Sequence, residues 1–103
     1  IIRGAYSWKN MQELTAFQRD LLFVIAGLEE PHGLAVKAEI ESAYPSEVRP
    51  GRLYPNLDTL ANRELIEKSE MDGRTNAYTL TDRGRDKLRD RLEWQQQYFD
   101  AVE

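Results

Sequence analysis

Residues 49–82, RPGRLYPNLDTLANRELIEKSEMDGRTNAYTLTD, contain the change of period that decides the fold. In the first half Leu53, Leu57 and Leu60 recur at i, i+4 and i+7, the stripe of an amphipathic helix. Pro50 suits its first position, where a missing N–H costs no hydrogen bond. Pro55 conflicts, because inside a helix it loses the bond to about residue 51. Two readings are open, a helix starting nearer Arg52 or a bent first turn. From Leu65 the pattern becomes extended: runs 66–71 and 76–80 flank Asp72-Gly73, a signal for a tight hairpin turn. Thr81 then caps a last helix, with Asp82 in its first turn, that runs to about Val102.

Upstream, Thr15 with Gln18 three places on forms a capping box. Leu14, Phe17, Leu21, Leu22, Val24, Ile25 and Leu28 follow at helical spacing until Glu30-Pro31-His32-Gly33 stops the helix. A second helix covers residues 34–43 and Tyr44-Pro45-Ser46 breaks it. Residues 1–13 show no period but hold Tyr6, Trp8 and Met11. The expected class is therefore mainly α with a small β-hairpin: a winged helix-turn-helix over 14–82, preceded by an arm over 1–13 and followed by a long C-terminal dimerisation helix over 83–103.

In that plan the third helix enters the major groove and the hairpin lies along the neighbouring backbone. Arg52, Asn56, Thr59 and Arg63 share one polar stripe beside the apolar face, and Arg49 precedes it. Arg grips guanine bidentately, Asn grips adenine, and a Thr methyl meets a thymine methyl. The same stripe also suits the solvated flank of an ordinary amphipathic helix, and Asp58 opposes approach to phosphate. The hairpin tip adds Arg74, Thr75 and Asn76 where a wing meets DNA; Arg74 alone reads equally as a solvated turn residue.

The segments LTAFQRDLLFVIAGLEEPHGLAVKAEIE, GRLYPNLDTLANRELIEK and TNAYTLTDRGRDKL resemble the PadR-like family of winged-helix transcription regulators. The resemblance is closest to its haloarchaeal members, among them an oxidative-stress regulator. It covers residues 14–92 and rests most on Leu53-Tyr54 with Leu57 and Leu60, and on Tyr78-Thr79-Leu80-Thr81 with Gly84. It implies a DNA-binding homodimer acting on transcription and dimerised largely through its last helix. It also implies that Arg52, Tyr54 and Asn56 are recognition-helix positions and Arg74 a wing position. Pro55, which the haloarchaeal members share, departs from the generic pattern and joins the candidate contacts; the acidic balance departs too.

Leu88, Leu92, Gln95, Phe99 and Val102 follow a 4-3-4-3 spacing, a heptad-like seam with Trp94 and Tyr98 beside it. A helix of this length spans ~30 Å, more than a small core covers, so the seam is expected between two copies; the alternative is packing on the first helix of its own chain. Tyr6, Trp8 and Met11 are expected to cover part of the same interface, or else to form a mobile arm. Gln95 can fix register through a hydrogen bond. Two-fold symmetry then predicts half-sites roughly 34 Å apart on a pseudo-palindromic operator.

The chain has 103 residues, no Cys and a net charge of −4. Leu, Ile, Val and Phe make up under a quarter of it, so the core is thin. Ten of the 14 cations are Arg, and charge is unevenly placed: −3 over residues 1–48, +2 over 49–91 and −3 over 92–103. This acidic, Lys-poor balance suggests work in concentrated salt, where counterion release contributes little to binding. Affinity is then expected to lean on base contacts and shape, with salt cations bridging Glu47 or Asp58 to phosphate. No run reaches the ~18 apolar residues of a membrane span, and a cytoplasmic location is expected. His32 is the sole His, so no metal site is expected; Asp82 and Asp86 read as a solvated face, and no catalytic set is visible. Met11 and Met71 can be oxidised, but two Met residues are a normal complement and no sensing role is assigned to them. The expected function is sequence-specific double-stranded DNA binding in transcription regulation, in a stress response under high salt. The alternative is a winged-helix protein-interaction module; no cofactor is expected and any small-molecule effector is left unspecified.

Overall fold

The structure, a computed structural model, describes residues 14–70, 72, 73 and 75–102. Helix α1 spans Ala16–Gly27, α2 Gly33–Ala43 and α3 Pro50–Asn62; strands β1 (Ile66–Glu70) and β2 (Asn76–Leu80) follow, then α4 (Asp82–Phe99). The arm expected over residues 1–13, Tyr6, Trp8 and Met11 included, lies outside the described residues, as do Met71 and Arg74.

Local chemistry sets the helix starts. The Thr15 hydroxyl accepts from Gln18 N while Gln18 Oε1 accepts from Thr15 N, both at 3.1 Å, so the capping box is complete. This is worth about 1 kcal/mol. His32 caps α2, its Nδ1 accepting from Ala35 N at 3.2 Å, and α2 therefore begins at Gly33, one residue earlier than read from the sequence. Thr81 caps α4 through Gly84 N and also donates to Glu64 O.

Four expectations are corrected. Helix α1 ends at Gly27, and Leu28, which the spacing placed in the helix, is its extended C-cap. Glu30 then takes φ 42°, and residues 31–32 turn back to meet β2: Tyr78 N donates to Pro31 O at 2.9 Å and His32 bridges Ala77. Helix α3 starts at Pro50, not near Arg52, and keeps Pro55 inside it. The hairpin is wider than a two-residue turn: its ladder ends at Glu70 opposite Asn76. There the Asp72 carboxylate accepts from Thr75 N at 3.0 Å, fixing the turn by a side chain. The last helix stops at Phe99, so Val102 sits in a following turn.

The core is one cluster that joins every element. Leu21, Leu22 and Ile25 of α1 meet Val36 and Ile40 of α2, the Leu53–Leu57–Leu60 stripe of α3, Ile66, Tyr78 and Leu88. Burial raises the Tyr78 phenol above its ordinary range. Helix α4 reaches this core only because residue 84 is glycine: a Cβ there would stand 2.2 Å from the Leu65 carbonyl oxygen. The first turns of α4 thus press on the connection into the hairpin. Lys68 Nζ, 3.2 Å from Asp58, ties β1 back to α3.

Candidate nucleic-acid interface

With Leu53, Leu57 and Leu60 fully buried, α3 turns the opposite stripe outward: Gly51, Pro55, Asp58 and Asn62 are all exposed. Arg52, Asn56, Thr59 and Arg63 run along the flank facing α1; Tyr54 lies on the other flank, facing the hairpin. The predicted stripe is therefore a single row, set beside the outermost face rather than on it.

Arg52 and Asn56 have partners that the sequence did not reveal. The Arg52 guanidinium lies 3.9 Å over the Phe17 ring and 5.9 Å from Tyr44, a contact worth about 0.5–1 kcal/mol at an exposed site. Burial, then a hydrogen bond donated to Asp20, holds the Tyr44 phenol above its ordinary range. The Asn56 Oδ1 accepts from Gln18 Nε2 at 3.0 Å, and Asn56 Nδ2 donates to Arg52 O at 2.7 Å. Both side chains thus link α3 to the start of α1. The Thr59 hydroxyl donates to Pro55 O at 3.0 Å. Arg49 is the exposed N-cap residue of α3 and makes no side-chain cap; Arg63, half-exposed, closes the same helix.

On the hairpin side, a groove runs between α3 and the wing, lined by His32, Leu34, Tyr54, Thr75, Asn76 and Tyr78. Tyr54 fits because residue 33 has no side chain: a Cβ on Gly33 would stand 2.7 Å from the Tyr54 hydroxyl. Helix α3, the start of α2 and the hairpin therefore share one concave edge. The exposed wing carries acids, Glu67, Glu70 and Asp72, as well as Lys68. The carboxylates expected to bridge cations are also partly neutralised within the chain, Asp58 by Lys68 at 3.2 Å and Glu47 by Lys37 at 3.8 Å.

The seam of the last helix divides. Leu88 is buried in the core of its own chain, whereas Leu92, Gln95, Tyr98, Phe99 and Val102 are exposed. Trp94 and Tyr98 stack edge to face with ring centroids 5.3 Å apart, and Arg91 lies 4.9 Å over the Trp94 ring. Among the described residues no group of three or more His, Asp or Glu side chains could hold a metal ion, and no helix is long and apolar enough to cross a membrane.

Sequence reasoning missed Gln18, seen only as a cap, and the pairing of residues 31–32 with the wing. Nothing in the spacing connects Gln18 to Asn56, because the contact spans 38 residues.

Comparison with known proteins agrees with this geometry. The Transcriptional regulator PadR-like family matches residues 21–90. A complex structure of hsRosR-S4 is 52% identical, with a TM-score of 0.83 over 88% of this chain and 78% of that one. RosR of H. salinarum, in crystals grown from NaBr, is 53% identical, with a TM-score of 0.81 over 85% and 79%. A PadR-like transcription factor from Bacteroides fragilis shares the fold, with a TM-score of 0.68 at 21% identity over 84% of this chain and 85% of that one. No match was found among curated proteins. The winged helix, the outward face of α3 and the match over residues 21–90 together place this chain in the PadR-like family of transcriptional regulators, as a DNA-binding regulator of transcription and not an enzyme.

Proposed function

We propose that the chain acts as a cytoplasmic homodimer on a pseudo-palindromic operator, with α3 in the major groove and the wing along the adjacent backbone. The observation that carries this reading is the setting of α3: its apolar stripe is fully buried, its opposite face is exposed, and its Tyr54 flank opens onto the same concave edge as the wing. Arg52, Asn56 and Thr59 supply base contacts from one flank and Tyr54 and Pro55 supply apolar ones. Arg49 and Arg63 hold the backbone at the two ends of the helix, and Arg74, Thr75 and Asn76 do so from the wing. Residues 14–82 form the reading unit, and residues 83–103 with the arm over 1–13 form the dimer contact. The exposed row Leu92, Gln95, Tyr98, Phe99 and Val102 supports that division, while Leu88 serves the core.

The acidic wing disfavours a phosphate-charge mechanism at low salt. RosR of H. salinarum, 53% identical and crystallised from NaBr, supports a setting in concentrated salt, and a stress-response role follows the family resemblance. There, salt cations shared between phosphates and carboxylates such as Asp58 and Glu47 lower the repulsion. Blocking a promoter is the simplest mode of action for so small a chain.

Fluorescence anisotropy of labelled upstream DNA in molar potassium chloride tests this reading, with a scrambled duplex as control. Arg52→Ala and Asn56→Ala, folded and dimeric, are expected to lose about 1–3 kcal/mol of specific binding each. Affinity is expected to change little with salt. A slope of many ions, near −0.9 per phosphate, would overturn the salt mechanism, and equal binding to the scrambled duplex would overturn operator reading.

A further inference from the structure

We propose that Gln18, on the first turn of α1, is a specificity-determining positioning residue: it fixes which way the Asn56 amide faces and so selects adenine over the other bases. The inference rests on the proposed reading of DNA by Asn56 and assigns the chemistry of that contact.

The argument is a count of donors and acceptors. A side-chain amide offers two N–H donors and two acceptor lone pairs, and its two orientations differ by exchange of oxygen and nitrogen. At Gln18 the orientation is set from outside, because Oε1 accepts the backbone N–H of Thr15 at 3.1 Å. That N–H can only donate, so Gln18 must turn its Nε2 toward α3. There Nε2 donates to Asn56 Oδ1 at 3.0 Å. Reversing the Asn56 amide would set two N–H groups against each other and would also break its 2.7 Å bond to Arg52 O, since two carbonyl oxygens would then face one another. The chain Thr15 N–H, Gln18, Asn56, Arg52 C=O therefore carries one direction of donation from end to end.

Two bonds are used at Asn56, one donor and one acceptor, so one N–H and one lone pair remain. Those are the two groups a bidentate contact with adenine requires, the oxygen taking the N6 amino proton and the nitrogen donating to N7. Gln18 is 9% exposed, so water competes poorly for its amide. Holding Asn56 in advance also spares the ordering of that side chain on binding.

The test separates orientation from folding. Gln18→Glu keeps an acceptor for Thr15 N and places an acid in the first turn of α1, which favours the helix; it removes the donor that Asn56 Oδ1 needs. Binding of the full-length protein to a randomised duplex library, followed by sequencing, gives the preference at each position for wild type, Asn56→Ala, Gln18→Glu and the double variant. The expected result is that Asn56→Ala relaxes the preference for adenine at one position of each half-site. Gln18→Glu should then relax that same position by about fivefold or more and add nothing in the Asn56→Ala background. Gln18→Met, which removes the donor without adding charge, should act like Gln18→Glu, and Thr15→Ala, which weakens the cap but leaves the Gln18–Asn56 pair, should lower stability more than discrimination. Unchanged preference in both Gln18 variants, or equal relaxation at every position, overturns the inference. A profile that Asn56→Ala itself leaves unchanged overturns the proposed reading on which it rests.

Discussion

Glu41 shows how a single side chain sets the approach to α3. Its Oε2 accepts from Lys37 Nζ at 2.9 Å and from the backbone N–H of buried Val48 at 2.8 Å, just before α3 begins. The Lys37 hydrogen bond first, and the Val48 N–H second, hold the Glu41 carboxyl below its usual range. A depressed carboxylate contributes stability that is present above its unfolded pKa and lost as pH falls through the lowered folded value. The same pair raises Lys37, so its contribution also fades in strong alkali, as pH rises through the raised value. Glu41→Gln is accordingly expected to be less stable than wild type near neutrality, with the gap closing in acid. Urea unfolding at a series of pH values checks this, and a gap unchanged in acid would exclude the carboxylate as its source. At this scale the sequence was informative only where partners are near in the chain: the Thr15–Gln18 box was legible from a spacing of three, while the stacking of Arg52 on Phe17 was not.

At the scale of elements, α3 combines a firm apolar stripe with a residue unsuited to a helix. Pro55 has no N–H for the Gly51 carbonyl, a defect that costs roughly 3 kcal/mol in a helix interior. The chain tolerates it because Leu53, Leu57 and Leu60 are all fully buried against the rest of the core, and packing outweighs local preference. This also explains why the sequence suggested a later start or a bend. Both alternatives treated the helix alone. Pro55→Ala is expected to gain about 1–3 kcal/mol in chemical denaturation while weakening discrimination for the operator, since Pro55 lies on the outward face. Lower stability in that variant would show that the proline ring is needed by the fold. The hairpin was legible as two strands, with β2 matching in both bounds, but its loop is longer than Asp72-Gly73 suggested. The Asp72 side chain organises a wider turn there, and the ladder stops at Glu70 and Asn76.

For the molecule as a whole, α4 is the element that exceeds its own domain. Gly84, Lys87 and Leu88 are buried, yet Leu92, Phe99 and Val102 are 54%, 53% and 76% exposed. Apolar side chains grouped in this way mark an interaction surface, and the 4-3-4-3 spacing fits a second helix of the same kind. Leu92→Glu combined with Phe99→Asp is expected to give a folded monomer by light scattering and circular dichroism, with operator affinity lowered at least tenfold because each half-site is then bound alone. A dimer that survives both substitutions would place the interface elsewhere.

The sequence alone determined the order of elements, the helix caps at Thr15 and Thr81, the stripe of α3, the strands of the wing and the family. Each of these is written in residues a few places apart, where helical and extended periods, caps and turn residues act locally. Only the tertiary structure decided that residues 31–32 join the wing, that Leu88 belongs to the core while Leu92 does not, and that Gln18 grips Asn56. These depend on how far apart two distant segments stand once the core has closed. Many sequences with the same local pattern would close it differently.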